Sequence, residues 1–159
     1  SSPYDYESVN VQLANGLRGV SDGVEIAPDW KPTNWFELRG SFSHVHVALH
    51  SKAGFSQASY ASNIEGSSPH REASVQGIFT LRHGFEIVPD YRFVSALPAD
   101  AVPRYQTADA HISFNIVPHL DLSLTGRNLL QPRHEEIAGD NSNAVSIKRE
   151  VFGGFLWSW

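Results

Sequence analysis

Apolar and polar residues take turns along segment after segment of this chain, and that period of two constrains the fold more than any other feature. Leu120, Leu122 and Leu124 alternate with Asp121, Ser123, Thr125 and Arg127, and Ile112, Phe114 and Ile116 alternate with His111, Ser113 and Asn115. Phe85, Ile87, Tyr91 and Phe93 share a side with Pro89, opposite Glu86, Asp90 and Arg92. Val75, Phe79 and Leu81 alternate with Ser74, Gln76, Thr80 and Arg82, and Val24, Ile26 and Trp30 with Glu25 and Asp29. Towards the C-terminus Ile147, Val151, Phe155, Trp157 and Trp159 fall on one side with Gly153 and a single charge, Arg149. No window keeps apolar residues at helical spacing with caps at both ends, so the reading is all-β.

The segment from Trp35 to His50 begins with Phe36, Leu38 and Phe42 on one side and continues with Val45, Val47 and Leu49 on the other. A change of phase inside one strand predicts a β-bulge near Ser43 or His44. The strands are read at roughly 18–30, 35–50, 72–82, 85–97, 104–116, 120–130 and 146–159. Each is close to or above the 9–11 residues that a tilted membrane-crossing strand needs. Residues Tyr4 to Leu13 are strand-like as well and offer an eighth.

The connections alternate in length. Short ones fall at Lys31–Asn34, Arg82–Gly84 and Val117–His119, and long ones at Ser51–Arg71, Pro98–Pro103 and Pro132–Val145. Strands joined up-and-down put all short turns at one end and all long loops at the other, the layout of an antiparallel transmembrane β-barrel. A soluble β-sandwich with Greek-key crossings, the alternative for a ligand-binding module, has no reason to sort its loops. The aromatic residues agree with the barrel. Trp30 and Trp35 flank one short turn, Phe85 opens the strand after another, and Trp157 and Trp159 end the last strand on the same side. Trp and Tyr favour the membrane interface, where an apolar ring meets polar headgroups.

Composition is compatible with this and narrows the rest. The 159 residues are 41% hydrophobic with a mean hydropathy of −0.27, and no apolar run is long enough for a transmembrane helix. Alternating strands lower the mean hydropathy without giving up an apolar wall. A net charge of −5 without a basic cluster argues against a nucleic-acid partner. With no Cys there is no disulfide framework and no thiolate chemistry. The chain has no Met and starts at Ser1-Ser2-Pro3, so it reads as a processed product or a piece, with any export signal upstream.

Several stretches together are similar to the C-terminal part of the barrel of TonB-dependent outer-membrane receptors. They are Gly23–Glu25 leading to Trp30–Pro32, Leu38–Ser43, Pro69–Ser74, Tyr91–Pro98, Val102–Ala110 and Leu122–Leu130, followed by the aromatic end at Trp159. The resemblance runs from about Asn15 onward. It implies a Gram-negative outer-membrane location and a segment of a larger barrel filled by a plug domain. It implies import of a scarce nutrient, a ferric siderophore-type chelate first, energised by the TonB system through the plug. The partners would be outer-membrane lipid, the plug, the rest of the barrel and the barrel-assembly machinery. A small stand-alone outer-membrane barrel with a structural or interaction role is the alternative within the same membrane.

The aromatic C-terminal pattern of Val151, Phe155, Trp157 and Trp159 resembles the mark that the assembly machinery reads. For ligand capture the long loops offer Tyr60, His70, Arg104, Arg133 and His134, since rings and cations suit an anionic metal chelate. His44 and His46 share a face but lack the third and fourth ligands of a metal site. Asp121, Ser123 and His111 are read as wall residues without catalysis. The expectation is therefore no enzyme activity, no cofactor and no resident metal. Glu86, Asp90, Arg92, Asp109, Asp121 and Arg127 share the polar side and are expected to form a salt-bridge network.

Overall fold

The computed structural model describes residues 15–55, 58–137 and 145–158. The strand-like Tyr4–Leu13 segment and Trp159 lie outside them. The architecture is antiparallel and all-β apart from one helix and two short 3-10 turns. In chain order the strands are β1 (Leu17–Ile26), β2 (Asp29–Thr33), β3 (Phe36–Ser51), β4 (Arg71–Thr80), β5 (Glu86–Val94), β6 (Tyr105–Val117), β7 (Leu120–Arg127), β8 (Arg133–Ile137), β9 (Val145–Lys148) and β10 (Glu150–Trp157). The helix α1 (Ala58–Gly66) lies in the first long loop. One eight-stranded sheet runs β1-β3-β4-β5-β6-β7-β10, with β2 also on β3, and β8 and β9 form a separate hairpin. Among the described residues the large sheet is open, and the second sheet, the two-stranded β8–β9 hairpin, is too small to cover it as a sandwich would require.

With β2 continuing β1 along β3 and the β8–β9 hairpin set aside between β7 and β10, each strand of the sheet pairs with the next in sequence, so the fold is up-and-down. Turns at Asn34–Trp35, Arg82–Gly84 and Pro118–His119 close one end. Longer segments leave from the other end after β3, β5 and β7.

The sheet differs from the sequence expectation at several places, among them the strand read over 85–97, which ends at Val94. The first strand is interrupted at Ala27–Pro28, because proline has no N–H to give to the ladder. The Pro28 carbonyl still accepts from the Gly40 N–H at 2.9 Å, and β2 resumes pairing with β3. The bulge predicted near Ser43 is absent: β3 pairs without a register shift to β1 across Phe42–Ser51 and to β4 across Phe36–His44. The strand expected over 120–130 ends at Arg127, because Asn128 turns into the left-handed region at φ 51°. The last strand is broken at Arg149, whose N–H goes to the Pro132 carbonyl instead.

Because β3 is regular, its change of phase means that its surroundings change. Directly opposed residues point to the same side of a sheet. The register puts Ile26, Trp30, Phe36, Leu38, Phe42, Val75, Phe79, Ile87, Tyr91, Phe93, Ile112, Leu122, Leu124, Val151, Phe155 and Trp157 on one face. That face is uncovered: Phe155 is 78% exposed, Val151 63% and Trp30 58%. Above Phe42 the same face of β3 carries His44, His46 and His50, and the apolar side flips to Val45, Val47 and Leu49.

This upper part of β3 runs beyond the end of β4, and loop and helix cover its edge. The Val45 N–H donates to the His70 carbonyl at 3.0 Å, and the Leu49 N–H donates to the Glu65 carboxylate on α1. Covering a protruding edge strand removes a template for unwanted pairing. Glu65→Ala is expected to leave that N–H unsatisfied and to speed Leu49 amide exchange at least about tenfold. Unchanged exchange would show that the helix is not what protects the edge.

Buried apolar side chains are few. Val94, Val102 and Tyr105 form one small cluster, with Leu97 against it, where the β5–β6 loop folds back. Leu97 and Val102 exchange backbone hydrogen bonds at 3.0 and 3.2 Å, which ties that loop into a compact cap. Among the described residues no other core lies beneath the sheet's apolar face, which is left exposed.

Candidate functional site

The long-loop end carries the candidate site, and one residue type at one position builds it. After Arg127 the chain leaves the β7–β10 ladder and regains pairing as β8 only at Arg133, opposite Lys148. Asn128 holds the departure. Its backbone N–H donates to Asp109 Oδ1 at 2.8 Å, and its Nδ2 donates to the Ile147 carbonyl at 3.0 Å. Leu129 N–H then donates to the Ala108 carbonyl at 2.8 Å, drawing the chain back over β6. The hairpin therefore lands on the first residue of β6: the His134 ring stacks on Tyr105 with centroids 4.6 Å apart and planes 21° apart.

A cleft of about 260 Å³ opens here, lined by Arg104, Tyr105, Gln131, Arg133, His134 and Glu135, with Pro103 at its margin. Three of the five loop residues singled out in the sequence, Arg104, Arg133 and His134, thus come together. The other two do not join them. Tyr60 lies exposed on α1, and His70 is a structural residue whose carbonyl accepts from the His44 ring at 3.0 Å and whose own ring lies 3.3 Å from the Glu65 carbonyl oxygen.

His134 is buried and lies within 3.0 Å of Glu136 through Nε2. That bond, with Nε2–H as donor, leaves Nδ1 as an acceptor, and Nδ1 has no hydrogen-bond partner among the described residues. The cleft thus offers two guanidinium forks, an amide and a carboxylate around an aromatic pair. Guanidinium groups match carboxylate-like oxygens in pairs, and the stacked rings give a flat apolar floor. Tyr105 and Glu136 were not legible as site residues. Tyr105 reads as one more strand aromatic, and only the Asn128 excursion brings it under His134.

The expected salt-bridge network does not form among Glu86, Asp90, Arg92, Asp109, Asp121 and Arg127. The register sets Asp90 opposite Asp109, places Arg92 between Ser74 and Thr107, and leaves Asp109 to bind Asn128. Arg127 lies over the Phe152 ring at 5.5 Å instead. The ion pairs of that face sit near the short turns, where Glu37 meets Lys31 at 3.4 Å and Arg39 at 2.5 Å, and Arg39 also reaches Asp29 at 3.7 Å. His44 and His46 share a face, and His46 lies 3.4 Å from Asp22 across the ladder.

The aromatic residues expected at a membrane interface gather at the short-turn end. Phe36 lies against Trp30 (6.3 Å, edge-on), Trp35 (5.9 Å) and Phe79 (4.9 Å), and Phe85 lies 6.2 Å from Phe114. Trp157 pairs with Leu120 beside the third short turn.

No family model and no curated protein matches the chain. Among solved structures it is similar to one described as the structure of the FpvAI–pyocin S2 complex, with a TM-score of 0.67 over 89% of this chain. The likeness shows the fold. Identity is 11%, and the chain spans about a fifth of the length of its solved neighbour, since 20% of that chain is covered. That likeness agrees with the antiparallel up-and-down sheet described above.

Proposed function

We propose that the chain forms part of the wall of a TonB-dependent outer-membrane receptor, and that its long-loop cleft contacts an anionic metal chelate of the ferric siderophore type. What supports the wall is the uncovered apolar face of a regular up-and-down sheet, together with the likeness to FpvAI, a TonB-dependent receptor. What supports the ligand class is the convergence of Arg104 and Arg133 beside the Tyr105–His134 stack. In this reading the outer edges of β1 and β10, unpaired among the described residues, join further barrel strands. The wall itself is passive: its cleft holds an anion at the mouth while a plug moves inside.

Arg104→Ala combined with Arg133→Ala is the direct test, in cells that carry the full receptor. Each charge-assisted hydrogen bond is worth roughly 1.5–3 kcal/mol, so the chelate concentration for half-maximal energised uptake should rise at least about tenfold. The amount of receptor in the outer membrane should be unchanged. Unaltered uptake at equal receptor level would remove the cleft from the ligand path.

A further inference from the structure

An anion accounts for the two guanidinium groups of the long-loop cleft and leaves its carboxylate, Glu135, without a role. A carboxylate at the lip repels an anionic ligand unless a cation meets it. Strand β8 sets how the charges are shared out. Successive side chains of a strand point to opposite sides. His134 and Glu136 share one side and are joined at 3.0 Å, so Glu136 is taken up in holding the stacked ring. Arg133 and Glu135 share the other side, with Cα atoms roughly 6.7 Å apart by strand geometry.

Opposite charges at that spacing are within reach of each other, yet they do not meet. Among the described residues no ion pair joins Glu135 to Arg133, to Arg104 or to Lys148, the residue opposite Arg133. Arg104, Arg133 and Glu135 are all exposed, so their long side chains are free to swing onto a ligand. Beneath them lies the buried Tyr105–His134 stack. At about 260 Å³ the cleft falls below the roughly 300–1,000 Å³ of pockets that enclose a whole small molecule. It therefore grips one arm of a larger ligand, or a molecule of amino-acid size.

We infer that the cleft recognises a zwitterionic amino-acid group: its carboxylate meets Arg104 and Arg133, its ammonium meets Glu135, and its apolar carbons lie on the Tyr105–His134 rings. The inference rests on the reading of this cleft as the ligand site and narrows which arm of a chelate it holds. Selection comes from the two signs together, since a plain anion leaves Glu135 unpaired and a plain cation leaves both guanidinium groups unpaired.

Leucine, N-acetylleucine and leucine amide are the probes, titrated calorimetrically onto the full receptor in detergent. They carry both charges, the carboxylate alone and the ammonium alone. Leucine should bind at least about fivefold tighter than either blocked form, the low end for a charge-assisted bond that stays open to water. Glu135→Gln should erase the margin over N-acetylleucine and keep the margin over leucine amide. Arg104→Ala with Arg133→Ala should do the reverse, and Arg104→Gln with Arg133→Gln serves if the alanine pair fails to fold. Energised uptake of labelled leucine by cells would assign the site to a free amino acid, and binding without uptake would assign it to the arm of a chelate. N-acetylleucine bound as tightly as leucine, with the arginine pair still required, overturns the zwitterion and leaves an anion cleft. No binding of leucine at millimolar concentration overturns the zwitterion as well. Leucine binding indifferent to Arg104 and Arg133 overturns the cleft reading together with it.

Discussion

Val75→Arg should destabilise the folded protein by roughly 2–4 kcal/mol, the cost of a guanidinium near the middle of a bilayer on a barrel's outer face. Val75 is opposite Gly40 and Tyr91 near the middle of the apolar face and is 46% exposed. Leu124→Arg, on the same face between Ile112 and Gly153, should cost a similar amount. Gln76→Arg and Ser123→Arg point to the other side and should stay within about 0.5–1 kcal/mol. The contrast is what matters. On a water-exposed sheet a half-exposed valine tolerates arginine, and the four variants would unfold alike. Reversible unfolding from lipid vesicles in urea separates the two cases.

Asn128→Ala should cost roughly 2–4 kcal/mol and weaken the cleft with it. Two effects add. Loss of Nδ2 leaves the Ile147 carbonyl without its donor in a site where Asn128 is 2% exposed, worth about 1–3 kcal/mol. Alanine at φ 51° adds about 1 kcal/mol of backbone strain, which asparagine tolerates better. Asn128→Gly removes the strain but not the lost bond, and should recover only that smaller part. Asn128 also fixes where β8 restarts, so the alanine variant should loosen the Tyr105–His134 stack and raise the chelate concentration for half-maximal uptake. A variant that lost stability but kept uptake unchanged would separate the hairpin from the cleft.

Period-two alternation made the architecture readable because a sheet's faces are set by parity alone. Leu122 and Leu124 must share a side wherever the sheet sits, and turn lengths then sort the ends. What parity does not carry is context. Val45, Val47 and Leu49 reverse phase where β3 runs beyond β4 and α1 and its loop flank it, and the backbone register does not slip. Pairwise geometry was also out of reach. Asp90 and Arg92 look like members of an ion-pair network until the register sets Asp90 against Asp109. The cleft was half legible. Arg104, Arg133 and His134 stand out as loop cations, whereas Tyr105 joins them only because Asn128 turns the chain back onto β6. Tyr60 and His70 carry the same chemistry, but the first long loop places them elsewhere.

The proposed membrane wall requires one face of this sheet to meet lipid. The chain has no Cys, which makes single-cysteine scanning along β4 direct. Ala73→Cys through Phe79→Cys, each spin-labelled in the protein in bilayers, should alternate strictly. Labels at 73, 75, 77 and 79 should collide with oxygen dissolved in lipid, and labels at 74, 76 and 78 with a water-soluble nickel chelate. Nickel accessibility at 75 equal to that at 74 and 76 would contradict the membrane wall and every functional statement built on it.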